Sequence, residues 1–307
     1  MTWKRKGNAI TKPLLITHIF MLLIISSTSL SFGHSFSSSE SAVFLALVDA
    51  IKAETKLVQE NLASNNISLA SEHANKASAL FTASVQGRIA DSNQTLAKEL
   101  DNALTTLKAS TESSSHDSKI SDINIVISDL DAIFDGIVNS RVDPDQLSNS
   151  TIQALTIVEL LDRVLTNYGD AYEVRFDMTN MSMMMSGSSS DKMNSMSSVD
   201  MDMDMDMDMD NNDHMSTGDI SATGGFELVN ITSYQSAQVL AKKAQELFNS
   251  QLINSSAGTQ SSDNIAAGLQ ELVSTIDNEG TPMDIMTIVH TRIHPNFITA
   301  FGLELST

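Results

Sequence analysis

The chain has 307 residues, a net charge of −20 and no cysteine. The lack of cysteine excludes disulfides, thiolate metal ligands and cysteine nucleophiles. The negative charge disfavours nucleic acid as a partner, because phosphate contacts need Lys and Arg patches and the dense basic cluster of this chain lies at its N-terminus. A chain of this length can form one large domain or two small ones.

Residues 1–33 have the organisation of a secretion signal peptide. Basic residues precede an apolar run from Leu14 to Ile25, and Ser31-Phe32-Gly33 offers a small-x-small cleavage site. The apolar run is shorter than the roughly 20 residues that a membrane span needs. The sequence therefore predicts an extracytoplasmic protein, secreted or at the cell surface. An uncleaved N-terminal anchor is the alternative, and membrane contact is expected only in that case.

Six N-x-S/T sequons are consistent with export and predict a glycoprotein. A chain rich in Asn, Ser and Thr also forms such triplets by chance. The sequons begin at Asn66, Asn93, Asn149, Asn180, Asn230 and Asn254.

Most of the chain after the signal peptide has apolar residues at helical spacing, which predicts an all-α fold. A first helix contains Phe44 to Leu62 and ends at the polar triplet 64–66. A break is expected at Pro144 and a stop at Pro295, since proline cannot continue a helix. The further helices are expected over about 68–85, 95–108, 120–138, 151–172, 233–252, 263–276 and 282–293.

Two pairs of segments suggest an internal repeat. The motif at 47–51, LVDAI, resembles the motif at 160–164, LLDRV, and the pattern of Ala, Lys, Leu and Phe at 70–81 matches that at 237–248. We infer two related helical-hairpin or bundle units, over 38–142 and 146–305, with chance similarity between helices as the alternative. In the second unit, a Met/Asp-rich insert at 177–225 replaces the short turn of the first.

Residues 177–225 are low in complexity and lack a stable apolar face, so we expect a disordered loop. Thirteen of the 17 methionines lie within it, and part of it alternates Met and Asp. Thioether sulfur selects Cu(I), whereas imidazole and carboxylate suit Cu(II). The candidate metal ligands are Met178, Met181, Met183, Met184, Met185, Met193, Met196, Met201, Met203, Met205, Met207, Met209, Asp210, Asp213, His214 and Met215.

The segment over 177–216 resembles the Met-rich copper-binding stretches of exported bacterial copper-resistance proteins. The resemblance implies copper as the cofactor, with Cu(I) favoured because His214 is the lone histidine there. It also implies buffering, storage or delivery of copper and exchange with another extracytoplasmic copper protein. We expect no enzymatic activity, because the sequence has no recognisable active-site motif. In its acidic, cysteine-free composition the chain is similar to secreted helical proteins of ammonia-oxidising archaea.

Other interpretations remain open at this point. The Met/Asp segment could be an acidic spacer in a cell-surface structural or interaction protein, or a sink for oxidants. An enzyme would need a metal site elsewhere, since GxSxG, P-loop and GxGxxG motifs are absent. Weaker metal candidates are His34, which becomes the N-terminus if cleavage follows Gly33, and the pair His290 and His294. Glu54, Glu72, His73 and Glu159 could contribute to a metal site between helices.

Overall fold

The computed structural model describes residues 38–112, 119–174, 226–253, 255 and 259–303. Within these ranges the protein is all-α, as the sequence predicts, and contains no strand. The α-helices are α1 Ser38–Ala63, α2 Ile67–Leu80, α3 Ala83–Glu112, α4 Lys119–Arg141, α5 Pro144–Leu147, α6 Ser150–Ala171, α7 Ile231–Leu247, α8 Thr259–Asp277, α9 Pro282–Thr287 and α10 His294–Phe301. Two π-helical segments, Phe248–Leu252 and Ile288–Ile293, continue α7 and α9.

The boundary between the second and third helices differs from the prediction. The expected helix over 68–85 ends at Leu80, and a new helix starts at Ala83. The third helix is longer than expected because it consists of two helical stretches joined at a kink, where Asn93 has φ −150° and ψ 91°. The Asn93 side chain accepts a hydrogen bond from Leu96 N (3.1 Å), so it caps the second stretch.

The expected stop at Pro295 is wrong. His294 has helical backbone angles (φ −56°, ψ −46°), and the chain continues as α10 to Phe301. Pro295 lies in the first turn of α10, which directly follows a π-helical segment. The missing N–H of proline is tolerated in the first turn of a helix. The helix ends instead at Gly302, whose positive φ of 62° is the left-handed conformation that favours glycine.

The hydrophobic core consists of two clusters that share α1. One cluster is formed by α1 to α4, and the other by α6 to α10 together with Ala46, Ala50 and Ala53 of α1. These small side chains allow α6 and α7 to pack closely against α1. Burial of each large side chain, such as Phe134 or Phe248, stabilises the fold by about 1.5–3 kcal/mol. The division into units at 38–142 and 146–305 stays a prediction.

Four sequon asparagines lie within the described residues, and each of them caps the start of a helical stretch. In addition to Asn93, the side-chain oxygens of Asn66, Asn149 and Asn230 accept backbone N–H bonds from the first turns of α2, α6 and α7. The N-cap preference for Asn, followed by polar first-turn residues, gives a structural reason for these triplets. Glycosylation stays a prediction, because capping uses the oxygen and leaves the amide nitrogen.

None of the helices in the described part of the chain is long and apolar enough to cross a membrane.

Candidate functional site

The Met/Asp-rich insert, with all sixteen of its candidate ligands, lies outside the described residues, as does His34. The structure describes the two points between which it is inserted. Both Val229 N (2.9 Å) and Asn230 N (3.0 Å) donate to the carbonyl oxygen of Ala171, the last residue of α6. The described residues on the two sides of the insert therefore meet at one place on the helical scaffold, which we call the neck.

The helices on either side of the neck are in direct contact. The rings of Tyr168 on α6 and Tyr234 on α7 have centroids 6.1 Å apart, and each hydroxyl donates to a backbone carbonyl near the end of α8, those of Gly280 and Ile276. Burial raises the pKa of Tyr234 to about 12, and it raises that of Tyr168 as well. Because their hydroxyl groups are buried and hydrogen-bonded, these tyrosines stay protonated and fix the geometry of the neck.

The two histidines predicted as a weaker metal pair do lie side by side. The rings of His290 and His294 have centroids 5.0 Å apart and are nearly perpendicular (79°). Both Nε2 atoms are buried and have no hydrogen-bond partner among the described residues. Burial lowers the pKa of His290, and burial together with the neighbouring His290 lowers that of His294 to about 4. Both imidazoles are therefore neutral near pH 7.

A site with three or more His, Asp or Glu ligands does not occur within the described ranges. Three of the four groups considered for a metal site between helices, Glu54, Glu72 and His73, have hydrogen-bond partners instead. Glu72 accepts from Thr232 on α7, and Glu54 and His73 bond to each other. Glu159 neighbours Asp162, whose pKa rises to about 6 through burial and through the charge of Glu159.

A buried polar network connects α1 and α2 to α6 and α7. His73 Nδ1 lies 2.7 Å from Glu54 Oε2, and His73 Nε2 lies 2.9 Å from Gln235 Oε1. Ser236 donates to Glu54 Oε1 (2.7 Å). Lys76 donates to Ser236 (2.9 Å) and to Asn167 of α6 (2.5 Å). Glu54 and His73 are 2% and 0% exposed, so these polar contacts are made inside the core.

The hydrogen-bond directions in this network can be assigned by starting from Asn61, which lies at its edge. The Asn61 amide donates to Leu57 O (2.9 Å) and to Gln235 Oε1 (3.0 Å), which fixes the Gln235 oxygen as an acceptor. His73 Nε2 must then carry a hydrogen to bond the same oxygen. Glu54 Oε1 accepts a hydrogen bond from the Ser236 hydroxyl and lies 3.8 Å from Lys76 Nζ, while Glu54 Oε2 faces His73 Nδ1. The network thus aligns donors and acceptors across four helices.

A groove of about 340 Å³ between α1 and α7 is lined by Lys52, Lys56, Lys242 and Lys243. Each of these lysines has an acidic neighbour: the closest contacts are with Asp135 (3.0 Å), Glu60 (3.7 Å), Asp277 (3.0 Å) and Asp49 (3.6 Å), in that order. The positive charge is thus compensated within the protein. The groove does not have the unpaired cations that an anion-binding site needs.

The sequence did not predict Lys76, Gln235 and Ser236 as partners of Glu54 and His73. The sequence did contain a feature that could have indicated such partners, because His73 and Lys76 interrupt the otherwise alanine-rich face of α2. Buried polar groups in such a position need partners from other helices. Which groups supply them depends on how α7 crosses α2, and the pattern of one helix does not contain that information.

These features define an all-α protein with two packed helical cores, a buried polar network and a long insert held at a narrow neck. No known protein family matches the chain, and no curated protein or solved structure is significantly similar to it.

Proposed function

We propose that this protein binds copper outside the cytoplasm and buffers, stores or delivers it without enzymatic activity. The observation that carries the proposal is the concentration of thirteen of 17 methionines in one segment, inserted at the neck between α6 and α7. Thioether sulfur favours Cu(I) over the harder divalent ions, and the interspersed carboxylates raise the local concentration of cations.

The neck supports this role for the insert. The described residues on its two sides meet at the carbonyl of Ala171, so metal binding within the insert need not displace α6 from α7. This arrangement counts against a spacer, because a spacer separates the elements that it joins. Here the joined helices pack against each other through Tyr168 and Tyr234.

A Cu(I) titration against a chromophoric chelator tests the proposal. The full chain is compared with a variant in which the thirteen methionines from Met178 to Met215 are changed to serine, which keeps the length and charge of the insert. A matched control changes the alternating aspartates from Asp202 to Asp210 to asparagine and keeps every thioether. We expect several equivalents of Cu(I) in the full chain and the control, and a loss of most of them in the serine variant. Equal binding by the full chain and the serine variant would refute the proposal.

A further inference from the structure

We propose that His290 and His294 form a second metal site, which binds one Cu(I) or Ag(I) ion through their Nε2 atoms. The thioether of Met286 is the third ligand. The site lies on the scaffold, far in sequence from the Met/Asp insert. The proposal depends on the proposed function only for the choice of copper as the physiological metal.

The first argument is the pair of unpartnered nitrogens. Both Nε2 atoms are buried without a hydrogen bond to any residue that the structure describes, and His294 is 8% exposed. An unsatisfied buried polar group costs about 1–3 kcal/mol, so two on adjacent rings call for an explanation. The rings are already one helical turn apart with centroids 5.0 Å from each other. A metal ion shared between them would use both lone pairs together.

The second argument is the number of ligands. Zn²⁺ usually takes three or four protein ligands, and the described residues contain no group of three or more His, Asp and Glu. Monovalent d¹⁰ ions accept two nitrogen donors in a nearly linear arrangement, and they accept thioether sulfur as an additional ligand. Two histidines without a carboxylate therefore select a monovalent soft ion.

Met286 supplies that sulfur on the same side of the helix. It precedes His290 by four residues, the same spacing that separates His290 from His294, so the three residues share one helical face. Met286 is 8% exposed, whereas Met283 in the same helix is 45% exposed. A buried thioether four residues before His290 would complete a set of soft and borderline donors.

The backbone at the pair is also unusual. The π-helical segment Ile288–Ile293 contains His290 and ends next to His294. Single π-helical turns within α-helices are uncommon and occur often at functional sites. Here the wider turn allows the chain to continue through Pro295, which keeps both histidines on one continuous helix.

The test uses Ag(I), which does not change oxidation state, added as nitrate to the full chain in chloride-free buffer. With ¹⁵N-labelled histidine, the Nε2 resonances of His290 and His294 should shift on binding. The serine variant of the Met178–Met215 segment should retain this response and bind one Ag(I). Adding His290→Gln and His294→Gln to that variant should abolish this binding. Unchanged Nε2 resonances at excess Ag(I), or undiminished binding after both substitutions, would overturn the proposal.

Single substitutions separate ligation from packing. Met286→Leu should weaken Ag(I) binding at least tenfold, and the matched changes Met283→Leu and Thr291→Ala should leave it unaltered. His294→Leu removes an unpaired nitrogen, so the metal-free Tm should stay the same or rise while the Ag(I)-induced increase in Tm disappears. A large fall in the metal-free Tm with no change in the Ag(I) effect would assign His294 a packing role and contradict the proposal.

The two proposals fail in different ways. If the insert does not bind, the full chain and its serine variant bind the same single Ag(I). If the histidine pair does not bind, the His290→Gln and His294→Gln substitutions in the otherwise unchanged chain remove no equivalent, while the insert still binds.

Discussion

His73 Nδ1 and Glu54 Oε2 lie 2.7 Å apart in the interior, where neither side chain is more than 3% exposed. The pair joins α1 to α2, and its hydrogen bonds extend to Gln235 and Ser236 on α7. The two halves of the chain therefore share one buried polar network in addition to their apolar contacts. Such a network is stabilising only while every member keeps a partner.

Breaking the pair should destabilise the protein strongly. Glu54→Gln and His73→Gln should each lower the free energy of unfolding by about 1–3 kcal/mol, since each leaves a buried polar group without its hydrogen-bond partner. Urea denaturation of both single variants and the double variant gives the coupling energy, which we expect to be about 1–3 kcal/mol. If the losses of unfolding free energy in the two single variants add up to the loss in the double variant, the two side chains do not stabilise each other.

Helix capping at the sequons predicts a difference between two substitutions of Asn230. Asn230→Ala should lower the free energy of unfolding by about 0.5–2 kcal/mol, because Ser233 N loses its acceptor. Asn230→Asp should preserve stability, since aspartate also caps helices, although it cannot carry a glycan. Thermal unfolding of unglycosylated protein measures both changes. Equal losses in the two variants would contradict the capping role.

Because of Asp162, we expect the free energy of unfolding to depend on pH. Its pKa is raised from 3.8 to about 6 in the folded protein by burial and by Glu159. The folded state therefore binds this proton more tightly than the unfolded state, and the contribution of Asp162 to stability falls as pH rises from about 4 to about 6. Asp162→Asn should remove this loss.

Relative to wild type, the Asp162→Asn variant should be more stable by roughly 1–2 kcal/mol at pH 7, after allowance for the partial exposure of the side chain. The two proteins should be equally stable near pH 3.5. Urea denaturation at both pH values measures the difference, and the comparison of variants cancels the titration of all other groups. A difference that is the same at both pH values would rule out this role for Asp162.

Gly268 should be intolerant of a larger side chain. A Cβ at this buried position would lie 2.8 Å from Cγ1 of Ile293, so α8 can approach the π-helical segment closely because glycine is there. Gly268→Ala should lower the free energy of unfolding by about 1–3 kcal/mol. In the Ile293→Ala background, the same change should cost less, because the clashing atom is absent. Calorimetry on the four proteins checks this, and an unaltered cost would exclude the clash.

Local sequence patterns were enough to predict the all-α class, the positions of most helices and the spacing of His290 and His294. These properties depend on residues within a few turns of one another, and apolar periodicity reports them directly. It did not reveal the continuation of the helix through Pro295 or the kink at Asn93, because a π-helical turn and a capping side chain changed the expected effect of the local residues.

The tertiary structure decided which polar groups meet. Gln235 follows His73 by 162 residues, yet their side chains are hydrogen-bonded because α7 packs against α2. At the neck, Val229 N likewise donates to the carbonyl oxygen of Ala171, although the whole insert lies between these two residues in sequence. Pairings of this kind depend on how helices cross and on which buried donors lack other acceptors. Neither quantity is encoded in the periodicity of a single helix, so the sequence alone could not predict them.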